Sequence, residues 1–351
     1  MALYSVKMTK RVLCRKHEKL WEEALTFPEK RGIIEKNGFW KVGKRMLKYT
    51  LAREGNFYKG NLHTHSTVSD GEQTPEELKA LYKENGYSFL AITDHNRYGI
   101  YPELCDEDFL VIPGTEIDCW FGPDKPVDHV VGIGHPEKNT FRRGEEIIGL
   151  KQTSAQTLID HLRAHGNEAI YAHPFWSYTP PELLFSLKGL LGMEIINYSC
   201  EQEWKSGISE AYYEHAWNRG HNLWCFGSDD AHGHVPDYCG GYITVKCASL
   251  CYDDLFDALH RGSFTASYAR YGEEAPKLLD FVVEDGVAKV WCSECDKVCI
   301  IADRSHYRPT HAKNGEKVTY AEYVLPEGAV SVKAICVDER RNMTWSQPIL
   351  L

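Results

Sequence analysis

Between Gly60 and about Ser267, short apolar runs alternate with longer stretches in which apolar residues recur every three or four positions. Runs of that length bounded by turn formers read as buried strands, and the 3.6-residue period reads as amphipathic helices. The middle of the chain is therefore expected to be a series of strand–helix repeats around a parallel sheet. Seven runs qualify: Gly60–His65, Phe89–His95, Phe109–Glu116, Val127–Ile133, Glu168–His173, Met193–Tyr198 and Leu223–Asp230. Between the first two, Thr74-Pro75-Glu76-Glu77 supplies an N-cap, a proline at the first helical position and the acid of a capping box. With Gly86 as the stop, this predicts a helix over Thr74–Asn85.

The texture changes after roughly Lys277. Leu278–Glu284, Val287–Trp291, Val298–Asp303, Val318–Val324 and Ala329–Asp338 are β-rich, and turn signals such as Glu284-Asp285-Gly286, Asn314-Gly315 and Pro326-Glu327-Gly328 separate them. Short strands without an intervening helical period predict a small antiparallel sandwich. The chain thus divides into a lead segment over 1–58, an α/β unit over 59–270 and a β-sandwich over 277–351. In the lead segment a helix is expected around Lys10–Leu25, and the mixed stretch around Gly38–Tyr58 has no assigned role.

Composition adds constraints. At 351 residues, with 43% hydrophobic and 26% charged side chains, the chain has the make-up of an ordinary globular protein. No apolar run approaches the roughly 18 residues that cross a bilayer, and the first residues lack a secretory core, so a cytoplasmic protein with no membrane partner is expected. Its 12 cysteines follow no disulfide framework and read as reduced packing thiols. Cys292, Cys295 and Cys299 lack a matching ligand pair nearby and are read the same way. A net charge of −10 disfavours nucleic acid and anionic membranes as partners. The charge is uneven, because residues 1–60 hold fifteen Lys/Arg against six Asp/Glu. That basic segment is expected to dock on the acidic body, the alternative being a patch for an anionic partner.

Candidate chemistry lies at the ends of the predicted strands, where a parallel barrel gathers its active site. Those ends carry His63 and His65, Asp94 and His95, Glu116, His129, His173, and Asp229, Asp230 and His232. His63 and His65 are two apart on an extended chain, so both imidazoles face one side, and Asp230 with His232 repeats the spacing. Imidazole and carboxylate donors without thiolates suit Zn, Mn or Fe. His135 stands as an alternative to His129, and Asp229 as an alternative to Asp230. Asp94 is expected to orient a neighbouring ligand.

Asn61-Leu62-His63-Thr64-His65-Ser66, Ser69-Asp70-Gly71, Thr93-Asp94-His95-Asn96, Gly114-Thr115-Glu116-Ile117, Ala172-His173-Pro174 and Ser228-Asp229-Asp230-Ala231-His232 occur in that order. This set resembles the polymerase and histidinol phosphatase (PHP) superfamily over about residues 60–267. The resemblance implies a distorted (β/α)7 barrel with two or three divalent ions (Zn, Mn or Fe) held by His63, His65, Asp70, His95, Glu116, His129, His173, Asp230 and His232. It groups His63, His65, Glu116 and Asp230 on one ion, Glu116, His129 and His173 on a second, and Asp70, His95 and His232 on a third. The end of the chain, Thr344-Trp345-Ser346-Gln347-Pro348-Ile349, is similar to that of the CehA/McbA-like branch, with Gln347 where that branch more often has Asn.

Such a centre is a sink for anions: three divalent ions against three carboxylates leave about +3, and two leave about +1. The expected reaction is hydrolysis of a small-molecule phosphate ester by a hydroxide bridging ions held by the catalytic set Glu116, His63, His65 and Asp230. Arg97 is a candidate phosphate clamp or else a solvated surface arginine, Trp176 a candidate pocket wall or else a core aromatic, and Glu194 and Asn197, at the sixth strand end, are candidates either to brace the ligands from behind or to contact substrate. A His or a metal-bound water is the candidate general acid. Alternatives are amidohydrolase or carboxyl-ester chemistry on the same ions, exonuclease action, or a noncatalytic metal module.

Overall fold

A computed structural model of the protein describes residues 40–42, 45–120, 127–147, 153–303 and 306–351. The helix anticipated around Lys10–Leu25 lies outside the described residues. Strands β1 (Trp40–Val42), β2 (Arg45–Tyr49) and β3 (Asn56–Asn61) precede helix α1 (Pro75–Glu84), which is followed by β4 (Phe89–Ala91), β5 (Leu110–Ile112), β6 (Gly114–Trp120) and β7 (Val127–Gly134). Then come α2 (Ala155–Ala164), β8 (Asn167–Tyr171), α3 (Pro181–Ser186), β9 (Leu190–Asn197), α4 (Tyr198–Trp204), α5 (Glu210–Trp217) and β10 (Trp224–Ser228). After β11 (Gly241–Cys247), α6 (Tyr252–Arg261) and β12 (Phe264–Tyr268), the rest is strand: β13 (Leu278–Glu284), β14 (Val287–Cys295), β15 (Lys297–Ala302), β16 (His306–His311), β17 (Val318–Val324), β18 (Ser331–Val337), β19 (Met343–Ser346) and β20 (Ile349–Leu350). Among the described residues no helix is long and apolar enough to cross a membrane.

Each of the seven predicted runs carries a strand, but the strands do not close into the expected (β/α)7 barrel. They lie instead in two sheets: β10-β9-β8-β7-β6, and a ten-stranded sheet in which β5-β4-β3 continues through β11 and β12 into the C-terminal strands. Two local causes are visible. Pro113 interrupts the run Phe109–Glu116, since proline has no N–H for a ladder, and the chain switches there from β5 in one sheet to β6 in the other. β7 then runs antiparallel to both β6 and β8. The two sheets meet through isolated bridges, Thr64 to Ala231 and His95 to Glu116.

Helix α1 forms as its cap predicts. The Thr74 hydroxyl accepts the Glu77 N–H at 3.2 Å, and Glu77 accepts the Thr74 N–H at 2.9 Å. Its inner face buries Leu78 and Tyr82, and the Tyr82 hydroxyl donates to Asp229 at 2.7 Å, fixing the helix to the end of β10. Helix α2 buries Leu158, Ile159 and Leu162, each worth about 1.5–3 kcal/mol when removed from water. They pack on Ile117, Val130 and Met193.

The C-terminal strands are stitched to the site-bearing half. β12 pairs antiparallel with β19, Thr265 opposite Ser346, so one sheet runs through both regions. Gln347 is wholly buried and treats Cys225 of β10 as a strand partner, accepting its N–H at 2.9 Å and donating to its carbonyl at 2.8 Å. The basic lead segment also docks, in part, on the same body: β2 pairs with β13, Arg53 lies 2.6 Å from Asp280, and Lys59 lies 2.7 Å from Glu274. The described cysteines are free thiols. Cys292 and Cys295 have sulfurs 3.7 Å apart, buried among apolar side chains of the C-terminal core.

Candidate metal centre

β3 ends at Asn61, and the chain continues extended, so His63 and His65 project together into the space between the sheets. Asp230 and Glu116 arrive from the other side. Asp230 Oδ1 is 3.0 Å from His63 Nε2 and 2.9 Å from His65 Nε2, while Glu116 oxygens lie 3.2 and 3.4 Å from the same nitrogens. Asp70 approaches because Gly71 lets its loop press on the backbone of His65, where a Cβ would lie 2.3 Å from the carbonyl oxygen. Its carboxylate is then 3.6–3.7 Å from nitrogens of His65, His95 and His232.

Donor atoms thus meet in three overlapping groups: His63, His65, Glu116 and Asp230; His65, Asp70, His95 and His232; and His95, Glu116 and His129. Two donors on one zinc ion, each at about 2.1 Å, sit about 3.4 Å apart in tetrahedral geometry. The spacings here match that value. Further features fit a cation. His95 Nδ1 and Glu116 Oε2 are 3.0 Å apart, yet both are buried without a hydrogen-bond partner. His63 Nε2 and His65 Nε2 face each other at 3.3 Å, an arrangement a shared cation relieves. The grouping differs from the expected one, since His65 and His95 each serve two groups. His173 falls in none of the three, although its Nε2 is 3.3 Å from Glu116.

The electrostatics agree. Burial alone would raise the carboxyl pKa of Glu116 and Asp230, but the surrounding imidazoles, His129 and His63 foremost, hold both well below the usual range. Burial lowers His65 to about 3, helped by His95 and His232, whereas His95 is lifted to about 9 against burial by Glu116 and Asp70. Ionised carboxylates packed among imidazoles form a pocket that favours positive charge. Two of the cluster residues also hold left-handed backbone conformations, His173 at φ 27° and Asp230 at φ 54°, each costing about 1–3 kcal/mol.

A second layer holds the donors. Glu194 Oε1 lies 2.7 Å from His63 Nδ1 and also accepts the Ser228 hydroxyl; its other oxygen accepts the His173 backbone N–H and the Asn197 amide, each at 2.9 Å. Asn197 donates to Asp230 at 3.0 Å. Both residues sit behind the ligands, 2% and 0% exposed, in the bracing one of their two expected roles and not the substrate-contacting one, because their polar atoms are consumed in holding the donors. Arg97 is likewise elsewhere: its guanidinium pairs with Glu146 at 2.5 Å, on the surface, and it does not line the cavity. Asp94 accepts from Ser66 and Ser69 and so fixes the loop ahead of Asp70 instead of an imidazole. Asp229 is turned away to Tyr82 and to the backbone N–H groups of 239–241. His135 is turned to Asp253.

The cluster opens into a cavity of about 320 Å³. Trp176 lines it, edge-on to His173 with ring centres 4.9 Å apart. Sequence reading missed the rest of the wall: Ser199, Cys200, Glu203 and Trp204 of α4, and His234. The available signal was the sixth strand end, which lacks a histidine and leads directly into α4. Asp237 was missed too; it accepts the His232 backbone N–H at 2.8 Å and the Ser199 hydroxyl at 3.2 Å.

No family model matches the chain. Over an alignment 89 residues long that covers 20% of this chain and 15% of the relative, it is 33% identical to the DNA polymerase/3'-5' exonuclease PolX of Bacillus subtilis. Over an alignment 91 residues long that covers 23% of this chain and 30% of the relative, it is 35% identical to the 5'-3' exoribonuclease Rnm of Salmonella typhimurium. The chain therefore matches less than a third of the length of either relative. Among solved structures it is similar to a two-domain protein from Bacteroides vulgatus containing a predicted PHP-like metal-dependent phosphoesterase, with a TM-score of 0.47 and 14% identity over 86% of this chain and 98% of that one.

Proposed function

We propose that the protein is a metal-dependent hydrolase of the PHP type that cleaves small-molecule phosphate esters. The observation that carries this reading is the convergence of His63 and His65 with Glu116 and Asp230, from three separate segments, each imidazole lying 2.9–3.4 Å from both carboxylates beside an open cavity. Zn, Mn or Fe fits this donor set, and Glu116, which belongs to two of the donor groups, would be shared between them. Bound divalent ions supply Lewis acidity and lower the pKa of coordinated water toward neutral, the conditions for attack on phosphorus.

The chain's own residues do the rest. Glu194 keeps the His63 proton on Nδ1, so that Nε2 presents a lone pair to the cluster. Asn197 fixes the Asp230 carboxylate, and Trp176 walls the phosphoryl side of the cavity beside His129 and His173. Among the described residues the cavity lining has no lysine or arginine, which weighs against the long polyanions that nucleases bind.

The test is release of inorganic phosphate from a panel of phosphate monoesters by protein loaded with Mn, Zn or Fe, compared with His63→Ala and with an aryl carboxyl ester. Phosphate release lost in the variant supports the reading. Cleavage of the carboxyl ester alone, or activity unchanged in His63→Ala, overturns it.

A further inference from the structure

The ten-stranded sheet has two unlike faces where β3, β11, β12 and β19 run side by side. On one face Ile243, Val245 and Phe264 are buried with Phe226 and Leu259 in an apolar core. Strand register puts a different set on the other. Lys59, Thr244 and Thr265 stand opposite one another in one row, and Tyr242, Ser267 and Thr344 form the next row two residues along. Thr265, Ser267 and Thr344 are at most 3% exposed, yet all six residues line a cavity of about 480 Å³. That cavity shares no lining residue with the one at the metal centre. The Ala275 N–H donates to the Tyr242 hydroxyl at 3.1 Å and so holds the segment leading into β13 against this face.

The charge in the lining is matched, and the hydroxyls are not. Lys59 Nζ lies 2.7 Å from Glu274 Oε1 and 4.2–4.3 Å from the ring centres of Tyr242 and Tyr87. Lys277, the other charged lining residue, is exposed. Ser267 and Thr344 share one hydrogen bond at 2.8 Å, which leaves capacity on each oxygen. Among the described residues no hydrogen bond reaches the hydroxyl of Thr244 or Thr265. A sequestered hydroxyl without a partner is costly, so these groups call for water or a ligand to complete them. Phe57 and Leu279 add exposed apolar surface to the same lining. The volume is in the range of small-molecule pockets. A neutral polyol suits this combination, because each of its hydroxyls donates and accepts while its C–H groups pack on carbon. An ion of either sign meets a like charge in the Lys59–Glu274 pair.

We propose that this cavity is a second ligand site, for a neutral polyol of monosaccharide size, with Thr244, Thr265, Ser267 and Thr344 as its hydrogen-bonding floor.

Glucose, ribose and myo-inositol are titrated against the metal-loaded full chain and followed by saturation-transfer NMR, with cyclohexanol as a ring of similar size that carries one hydroxyl. Saturable binding of at least one polyol is expected, at least about tenfold tighter than that of cyclohexanol. Thr265→Val and Thr244→Val each remove a hydroxyl and keep the shape; each is expected to weaken that binding about fivefold, with circular dichroism confirming the fold. His63→Ala, which alters the metal centre, is expected to leave polyol binding unchanged. No polyol binding, binding no tighter than that of cyclohexanol, or an affinity untouched by both threonine variants overturns the site. Polyol binding lost in His63→Ala puts the ligand at the metal centre and overturns it too. No outcome depends on phosphate release, so this site and the phosphoesterase reading stand or fall separately.

Discussion

Glu194 Oε1 stands 2.7 Å from Nδ1 of His63, and this contact decides which nitrogen of that imidazole faces the cluster. A carboxylate behind a ligating histidine fixes its tautomer and raises its basicity. Since Glu194 also accepts from Ser228, His173 and Asn197, one buried side chain governs three cluster residues.

Replacing it with glutamine keeps the volume and removes the charge. Glu194→Gln is expected to weaken metal binding about 10–100-fold while the protein still folds. Competition against a chromophoric chelator reads the affinity, and circular dichroism reads the fold. Unchanged affinity would show that Glu194 is only packing.

Metal binding should depend on pH in a definite direction. Burial opposes protonation of His95, but Glu116 and Asp70 raise its pKa to about 9 in the metal-free protein. Its folded pKa exceeds the unfolded value of about 6.5, so the stability it contributes is complete below that value and is lost as pH rises through about 9. A bound ion must displace that proton, and His63, whose pKa is also raised, adds to the effect. Between pH 6.5 and 9 the apparent affinity and the rise in Tm on metal loading are both expected to increase, with protons released into weak buffer at pH 7. An affinity that is flat over this range contradicts the assignment.

The end of the chain should stabilise the site-bearing half. Gln347→Ala leaves the Cys225 N–H and carbonyl without their buried partner, at a cost of about 1–3 kcal/mol. Urea denaturation measures it. A loss below a few tenths would mean that water replaces the amide.

Thr74→Ala is the contrasting change. It removes the capping box of α1 and should cost about 1 kcal/mol with no effect on metal affinity, because the cap lies at the far end of the helix from Tyr82. A change in affinity equal to that of Glu194→Gln would contradict this separation.

How far the sequence predicts these features depends on the range of the physics involved. The capping box of α1 is local chemistry and lies within four residues, so its helix is readable to within a residue at each end. His63 and His65 are readable because strand alternation alone puts two side chains on one face. The sheet topology is not, because it depends on Pro113 moving the chain between sheets and on β11 and β12 pairing in an order that no local pattern records. Arg97 fails for a related reason: a position next to His95 says nothing of Glu146, which captures its guanidinium from 49 residues away. Glu194 and Asn197 are legible as candidates from their place at the sixth strand end, yet which side of the ligands they occupy is a three-dimensional fact. Trp204 and Glu203 left no trace in the motif, since they enter through the helix that follows a histidine-free strand end.

The most direct measurement is the metal content of the protein by inductively coupled plasma mass spectrometry after loading with Mn or Zn and gel filtration, for wild type and for Glu116→Gln. Glu116 belongs to two of the three donor groups, so two or three ions per chain are expected in the wild type and at least one fewer in the variant. Fewer than one ion per wild-type chain, or identical content in the two proteins, would contradict the shared-ion centre.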